Sequence, residues 1–317
     1  MAVVTKADVD KAFNELSNWG RWGDDDQLGT INLATPERVC EAAGLIKTGR
    51  IFGLGLSLKE PVQTGLYGGR WNPIHSMLAT GTDVKCGIQE GTGLQYADDA
   101  INMPCQGSTQ WDSIAHIFYQ GKMFNGYDAS NVTTTGARKN GIENYRDKMA
   151  GRGVLLDVAR YKGVDWLEDG EGITIDDLEG TAKAQGVEIR QGDFVIFRTG
   201  HQKRCLDLAE WSGYAGGDAP GLAFETCYWI KEKDIAAICA DTWGCEVRPN
   251  ESEAEGLFQP WHAVVIPAIG IAMGEIFYLE ELADDCAKDG VYEFFFTAPP
   301  LHLPGGCGSP LNPQAIK

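Results

Sequence analysis

The sequence predicts a mixed α/β fold. Short apolar or alternating runs separated by glycines recur from Ile51 onward, and stretches with helical spacing lie between several of them. The 40 glycines supply the turns that so irregular an alternation needs. The first element is a helix, because Thr5 is placed to cap it and Val9, Ala12, Phe13 and Leu16 fall on one face at helical spacing. It ends at Asn18-Trp19-Gly20. A polar turn from Arg21 to Gly29 leads to Asn32, and Thr35-Pro36-Glu37 has the form of a second capped start with proline at the first helical position. Phe52 to Leu58 suits a strand. Further strands are expected at Gly153 to Asp157, Asp193 to Arg198, Ile235 to Ala240, Val264 to Ile271 and Tyr292 to Thr297, with helices at Gly141 to Ala150, Thr174 to Gln185 and Leu222 to Lys231. Such a fold carries its chemistry on strand ends and loops.

The 317 residues hold 45 acidic and 27 basic side chains, a net charge of −18. No basic run exceeds a pair such as Arg138-Lys139, so no nucleic-acid partner is expected. The same charge disfavours an anionic membrane surface, and the longest apolar stretch, Ala263 to Met273, falls far short of the roughly 20 residues of a span. Nine cysteines, without paired C-x-x-C spacing, read as reduced thiols in a chain large enough to dispense with disulfides, and this points to the cytoplasm. No linker, repeat or secretory signal interrupts the sequence. Residues 1–50 read as an N-terminal helical arm and 51–317 as one domain. Imidazole chemistry must draw on His75, His116, His201, His262 and His302.

The densest chemistry lies between Cys105 and His116. Along a strand, Gln106, Ser108, Gln110 and Asp112 share one face and form a row of oxygen donors. His116 follows four residues after Asp112, within reach of the same site if the chain turns into a helix there. A second cluster has His262 opening an apolar run and Glu275 thirteen residues later. Cys105 faces away from Gln106 and is not read as a nucleophile.

These residues carry a family resemblance. The segment resembles the metal-binding motif H-x-G-T-H-x-D-x-x-x-H of the cyclase and bacterial kynurenine formamidase superfamily. Gln106 and Gln110 stand where that pattern has its first two histidines, while Thr109, Asp112 and His116 match it. The glutamine version, followed by His262 and Glu275, is similar to the branch containing trans-dienelactone hydrolase. Trp22 to Asn32, Gly192 to Gly200 and Pro220-Gly221-Leu222 extend the resemblance over most of the chain.

The resemblance implies a swivelling β/β/α fold and a metal-dependent hydrolase that opens a lactone or cleaves a cyclic or small amide. Gln106, Gln110, Asp112, His262 and Glu275 would hold the ion, zinc as first choice and manganese second, because amide oxygens soften the preference for zinc. His116 is the candidate general base, a role Glu275 can share. Trp22, Phe124, Tyr127 and His201 are candidate pocket residues for a small-molecule substrate, and homologues of this type suggest a homodimer or homotetramer. Two other readings belong to different classes: a catalytically silent binding protein that has lost its metal, and an enzyme in which His116 and Glu275 act without one.

Overall fold

The first helix shows how closely the local sequence dictates the structure. In the computed structural model, which describes residues 3–65, 67–91, 93–252 and 256–317, helix α1 (Lys6–Leu16) opens on a reciprocal cap. Thr5 Oγ1 accepts from Asp8 N, and Asp8 Oδ2 accepts from Thr5 N at 2.9 Å. Val9, Ala12 and Leu16 are buried, as their spacing requires. Thr35 caps α2 (Pro36–Ala43), with Pro36 in its first turn.

A nine-stranded sheet organises the rest. Its strands in chain order are β1 (Ile51–Gly53), β4 (Gln110–Asp112), β7 (Ala150–Asp157), β9 (Phe194–Arg198), β11 (Ala237–Ala240), β12 (Ala272–Glu275), β13 (Glu293–Thr297), β14 (Gly308–Pro310) and β15 (Gln314–Ile316). Across the sheet they run β1-β15-β13-β7-β9-β11-β12-β4-β14. The four central strands, β7, β9, β11 and β12, are mutually parallel, and both flanks are antiparallel. Parallel neighbours need crossovers. Helices α4 (Val158–Tyr161) and α5 (Ile175–Gln185) connect β7 to β9, α6 (His201–Leu208) and α7 (Thr226–Lys233) connect β9 to β11, and α8 (Pro260–Val264) lies between β11 and β12. Helix α9 (Glu280–Asp289) precedes β13. Burial on both faces explains why β9 and β11 are buried at every position.

Three two-stranded ribbons complete the mixed α/β fold: β2 (Ile74–Ala79) with β3 (Asp98–Asn102), β5 (Val132–Thr133) with β6 (Gly136–Ala137), and β8 (Gly172–Ile173) with β10 (Gly221–Leu222). A short helix α3 (Gly81–Lys85) lies between β2 and β3. Among the described residues no helix is long and apolar enough to cross a membrane.

Four expected elements differ. The strand expected over Phe52 to Leu58 is regular only at Ile51–Gly53, and the helix expected from Leu222 starts at Thr226, because Leu222 pairs with Ile173 in a ribbon. The run expected as a strand over Val264 to Ile271 is helical as far as Ile269, α8 passing into a π-helical turn over Val265–Ile269 before β12 begins at Ala272. Every residue of that turn is buried, and an apolar run surrounded by core has no polar face to reveal its period. Gly141 to Ala150 holds only a 3₁₀ turn, Ile142–Tyr145, and β7 already begins at Ala150. Strand β4 is also shorter than the expected row, since Gln106 to Thr109 form turns and bends outside it.

Candidate active site

Strand β4 sorts its three side chains by the two-residue period of a strand. Trp111 points into the core, where its indole Nε1 donates to the Ala298 carbonyl at 2.7 Å. Gln110 and Asp112 share the opposite face. Gln110 stands opposite Glu275 in the β4–β12 register, and its Nε2 donates to Glu275 Oε2 at 2.6 Å. Beyond Asp112 the chain makes a tight turn in which His116 N donates to Ser113 O at 2.9 Å. This turn, without the expected helix, brings His116 Nε2 to 3.8 Å from Asp112 Oδ2.

His262 arrives from α8. The Glu246 carboxylate sits at the start of that helix, accepting from Trp261 N at 3.1 Å and His262 N at 3.2 Å, and its Oε2 lies 2.7 Å from His262 Nδ1. This contact fixes the ring and directs Nε2 towards Glu275, whose Oε1 is 3.7 Å away. Glu275 is the last residue of β12, so the site lies at the carboxyl end of the parallel strands, the usual location for a ligand in open α/β sheets. The next residue, Ile276, is buried with φ 60°. A β-branched residue there costs about 1–3 kcal/mol. Hydrogen bonds from Ile276 N to Thr242 O (3.0 Å) and from Thr109 Oγ1 to Ile276 O (2.5 Å) hold it.

A cavity of about 220 Å³ joins these groups, lined by Arg70, Asp112, His116, Ile117, Trp243, Gln259, His262 and Glu275. Burial raises the Glu275 pKa, and the neighbouring Asp112 carboxylate raises it further. Burial opposes charge on His262, but the carboxylates of Glu246 and Glu275 outweigh it and lift the imidazole to about 9. Burial lowers the pKa of His116, with Asp112 opposing. With no cation bound, the cavity near neutral pH therefore holds a neutral His116 imidazole and a His262 imidazolium beside the carboxyl groups of Asp112 and Glu275.

Asp112 Oδ1 and Gln110 Oε1 are buried without a hydrogen-bond partner. Among the described residues no three His, Cys, Asp or Glu side chains already stand close enough together to grip a metal ion. The donor set nevertheless suits a divalent cation: the carboxylates of Asp112 and Glu275, the first with Oδ1 unpartnered, the unpartnered amide oxygen of Gln110, and the Nε2 of a histidine oriented through Nδ1 by Glu246, which would give up its proton on binding.

The structure brings Gln110, Asp112, His116, His262 and Glu275 together and leaves the other predicted residues elsewhere. Gln106 packs its amide over Gly308 of β14, where a Cβ would come within 2.4 Å of Nε2, and it does not line the cavity. Phe124 is fully buried, its ring against Gly270. Trp22 carries the Arg21 guanidinium 4.6 Å above its ring, and Tyr127 lies under Lys139 and donates to Asp24 O. His201 opens α6, stacked on Tyr214, and borders a different cavity of about 530 Å³ with Arg204, Cys205 and Glu210. Five residues of the site went unread in the sequence: Arg70, Ile117, Trp243, Glu246 and Gln259. Gln259 alone had a local signal, standing three residues before His262 at a Pro-marked helix start.

The family model described as "Putative cyclase" matches residues 38–247. The crystal structure of a protein described as a novel cyclase is 39% identical, with a TM-score of 0.87 over 96% of this chain and 99% of that one. The chain belongs to this cyclase family. Two more distant structures share its fold: isatin hydrolase A from Ralstonia solanacearum (20% identity, TM-score 0.59, 84% of this chain and 91% of that one) and isatin hydrolase A from Labrenzia aggregata bound to benzyl benzoate (18%, 0.60, 86% and 94%). No curated protein matches this sequence.

Proposed function

We propose that this cyclase-family protein is a hydrolase that opens a small lactone, or cleaves a cyclic or small amide, in the cavity of Asp112, His116, His262 and Glu275. The observation that carries the reading is the convergence of these four side chains on one polar cavity beside the unpartnered oxygens of Asp112 and Gln110. Membership of the cyclase family and a fold shared with isatin hydrolases, whose named substrate is a ring, agree with it. The glutamine-bearing motif favours a lactone, as in the trans-dienelactone hydrolase branch.

Asp112, Glu275 and His262 Nε2 would hold a divalent cation, with Gln110 as a neutral donor; zinc is the first choice and manganese the second. When bound, the cation polarises the substrate carbonyl and acidifies the attacking water. The chain supplies the remaining steps. His116, a neutral imidazole at neutral pH, accepts the proton on its unprotonated ring nitrogen as the water oxygen bonds to the carbonyl carbon. The ring C–O or C–N bond then breaks, and His116 returns that proton to the departing oxygen or nitrogen. Glu246 keeps His262 in register, and Arg70 lines the same cavity. A cavity of about 220 Å³ limits the substrate to a small ring.

The test is lactone opening by purified protein before and after treatment with a chelator, then after zinc or manganese is restored. Activity lost and regained supports the reading; a rate indifferent to metal contradicts it. His116→Ala should lower kcat by about 10²–10⁴-fold while leaving metal content unchanged.

A further inference from the structure

A second cavity, of about 530 Å³, lies beside the start of α6 and takes no part in the chemistry proposed above. Its volume falls within the roughly 300–1,000 Å³ of small-molecule sites. His201 lines it. The residue is 2% exposed, and neither Nδ1 nor Nε2 has a hydrogen-bond partner. Asp169 Oδ1 stands 3.5 Å from Nδ1 without bonding it. Buried polar atoms are nearly always paired, so two orphaned nitrogens on the wall of an open volume mark a place for a ligand's polar group.

The rest of the wall decides which group. Tyr214 is stacked on His201, ring centroids 5.3 Å apart, and its hydroxyl already donates to the Asp241 carbonyl at 2.9 Å. With Cys205 and Leu208 it offers an apolar surface. Three carboxylates, Asp169, Glu210 and Asp218, share the lining with one guanidinium, Arg204. Arg204 is bound to Asp169 at 2.8 Å, and among the described residues no basic side chain pairs with Glu210 or Asp218. The net charge of −18 has the same sign as this excess. Burial, and after it the Arg204 guanidinium, keep the His201 ring uncharged, so one of its nitrogens can accept a proton donor.

We propose that this cavity binds a small organic cation, a primary ammonium on an apolar or aromatic body. The ammonium donates to the unprotonated nitrogen of His201 and to the carboxylates of Glu210 and Asp218, while the body packs on Tyr214, Cys205 and Leu208. An organic carboxylate would meet Glu210 and Asp218 as like charges. The two cavities are neighbours. Gly217, in the lining of this one, accepts from Trp243 Nε1 at 3.2 Å, and Trp243 lines the cavity of Asp112 and Glu275. The inference does not rest on the chemistry proposed there.

The test is titration of the full chain with benzylamine, which is charged near neutral pH, beside benzyl alcohol and benzoate as its neutral and anionic counterparts. NMR follows the ring signals of the five histidines. His201→Phe, which keeps a flat ring against Tyr214 and removes both nitrogens, assigns the His201 signal. That signal should move saturably with a Kd of about 1 mM or below, while those of His116 and His262 shift far less. Benzyl alcohol and benzoate should bind at least ~10-fold more weakly. The double variant Glu210→Gln, Asp218→Asn changes two exposed side chains, so circular dichroism and Tm should hold while benzylamine binding weakens by about 3–10-fold. A His201 signal unmoved at ~20 mM benzylamine, about twenty times that Kd, means that the cavity takes water alone and overturns the inference. So does benzoate binding as tightly as benzylamine, a His116 or His262 signal that moves as far as that of His201, or a double variant that binds as the wild type does.

Discussion

Glu246 shows what a single residue contributes that the sequence conceals. Its carboxylate meets two backbone amides and the His262 ring, so it both starts α8 and aims His262 Nε2 into the cavity. Glu246→Gln keeps the shape and removes the charge, and is expected to weaken metal affinity or activity by about 10–100-fold with little change in Tm. Titration with zinc and a lactone assay read the loss; a variant indistinguishable from wild type would deny the carboxylate this role. Asp112, His116, His262 and Glu275 were legible because a motif spacing and an apolar run carry them. Glu246 was not, because it stands sixteen residues before His262 with no pattern linking them, and only the fold brings the pair to 2.7 Å. Arg70 and Trp243 were hidden for the same reason. His201 and Phe124 stood out by residue type, but one lines another cavity and the other packs against Gly270.

Among the elements, β12 carries the site on one side and core packing on the other. Glu275 faces the cavity, while Gly274 faces the core, where a Cβ would lie 2.8 Å from Cys239 Sγ, 2.8 Å from the Phe277 ring and 2.9 Å from the Trp111 indole. Gly274→Ala should therefore destabilise the protein by about 1–3 kcal/mol, seen as a lower denaturant midpoint at unchanged slope. An unchanged midpoint would mean that Trp111 and Phe277 can move aside. The long central strands were legible because β-branched and aromatic runs bounded by turns leave few alternatives: β7, β9, β11 and β13 lie where they were expected. Strands β4, β14 and β15 have three residues each, too short for a period to emerge, and they pair with segments far away in sequence. The helix at Val264 looked like a strand because burial on all sides removed the polar face that distinguishes the two.

For the whole molecule, the parallel centre of the sheet places its strand ends in a row of charged and polar groups: Asp157, Arg198, Asp241 and Glu275. Next to this row, burial holds His201 neutral, with its pKa lowered to about 4 against an ordinary 6.5. On acidification the unfolded chain binds this proton first. The contribution is therefore complete above about pH 6.5 and is lost as pH falls through 4, about 3 kcal/mol in all. Thermal unfolding should shift down by roughly 5–10 °C over that interval, and His201→Gln should flatten that part of the profile. An identical slope in the variant would show that His201 is not the group responsible. The cyclase family and the mixed fold were legible in the sequence, since motif, central strand and N-terminal signature agree along most of the chain. The exposed ribbon of β2 and β3 was not, because Ile74, Met77, Leu78 and Ile101 look like core until the structure leaves them outside it. The central claim is that Asp112, His262 and Glu275 together hold a divalent cation. Elemental analysis of purified wild type beside Asp112→Asn and Glu275→Gln tests it most directly. About one zinc or manganese per chain in the wild type, lost in both variants while their folds persist, is the result the account predicts; a wild type with no stoichiometric metal after zinc or manganese is supplied would contradict it.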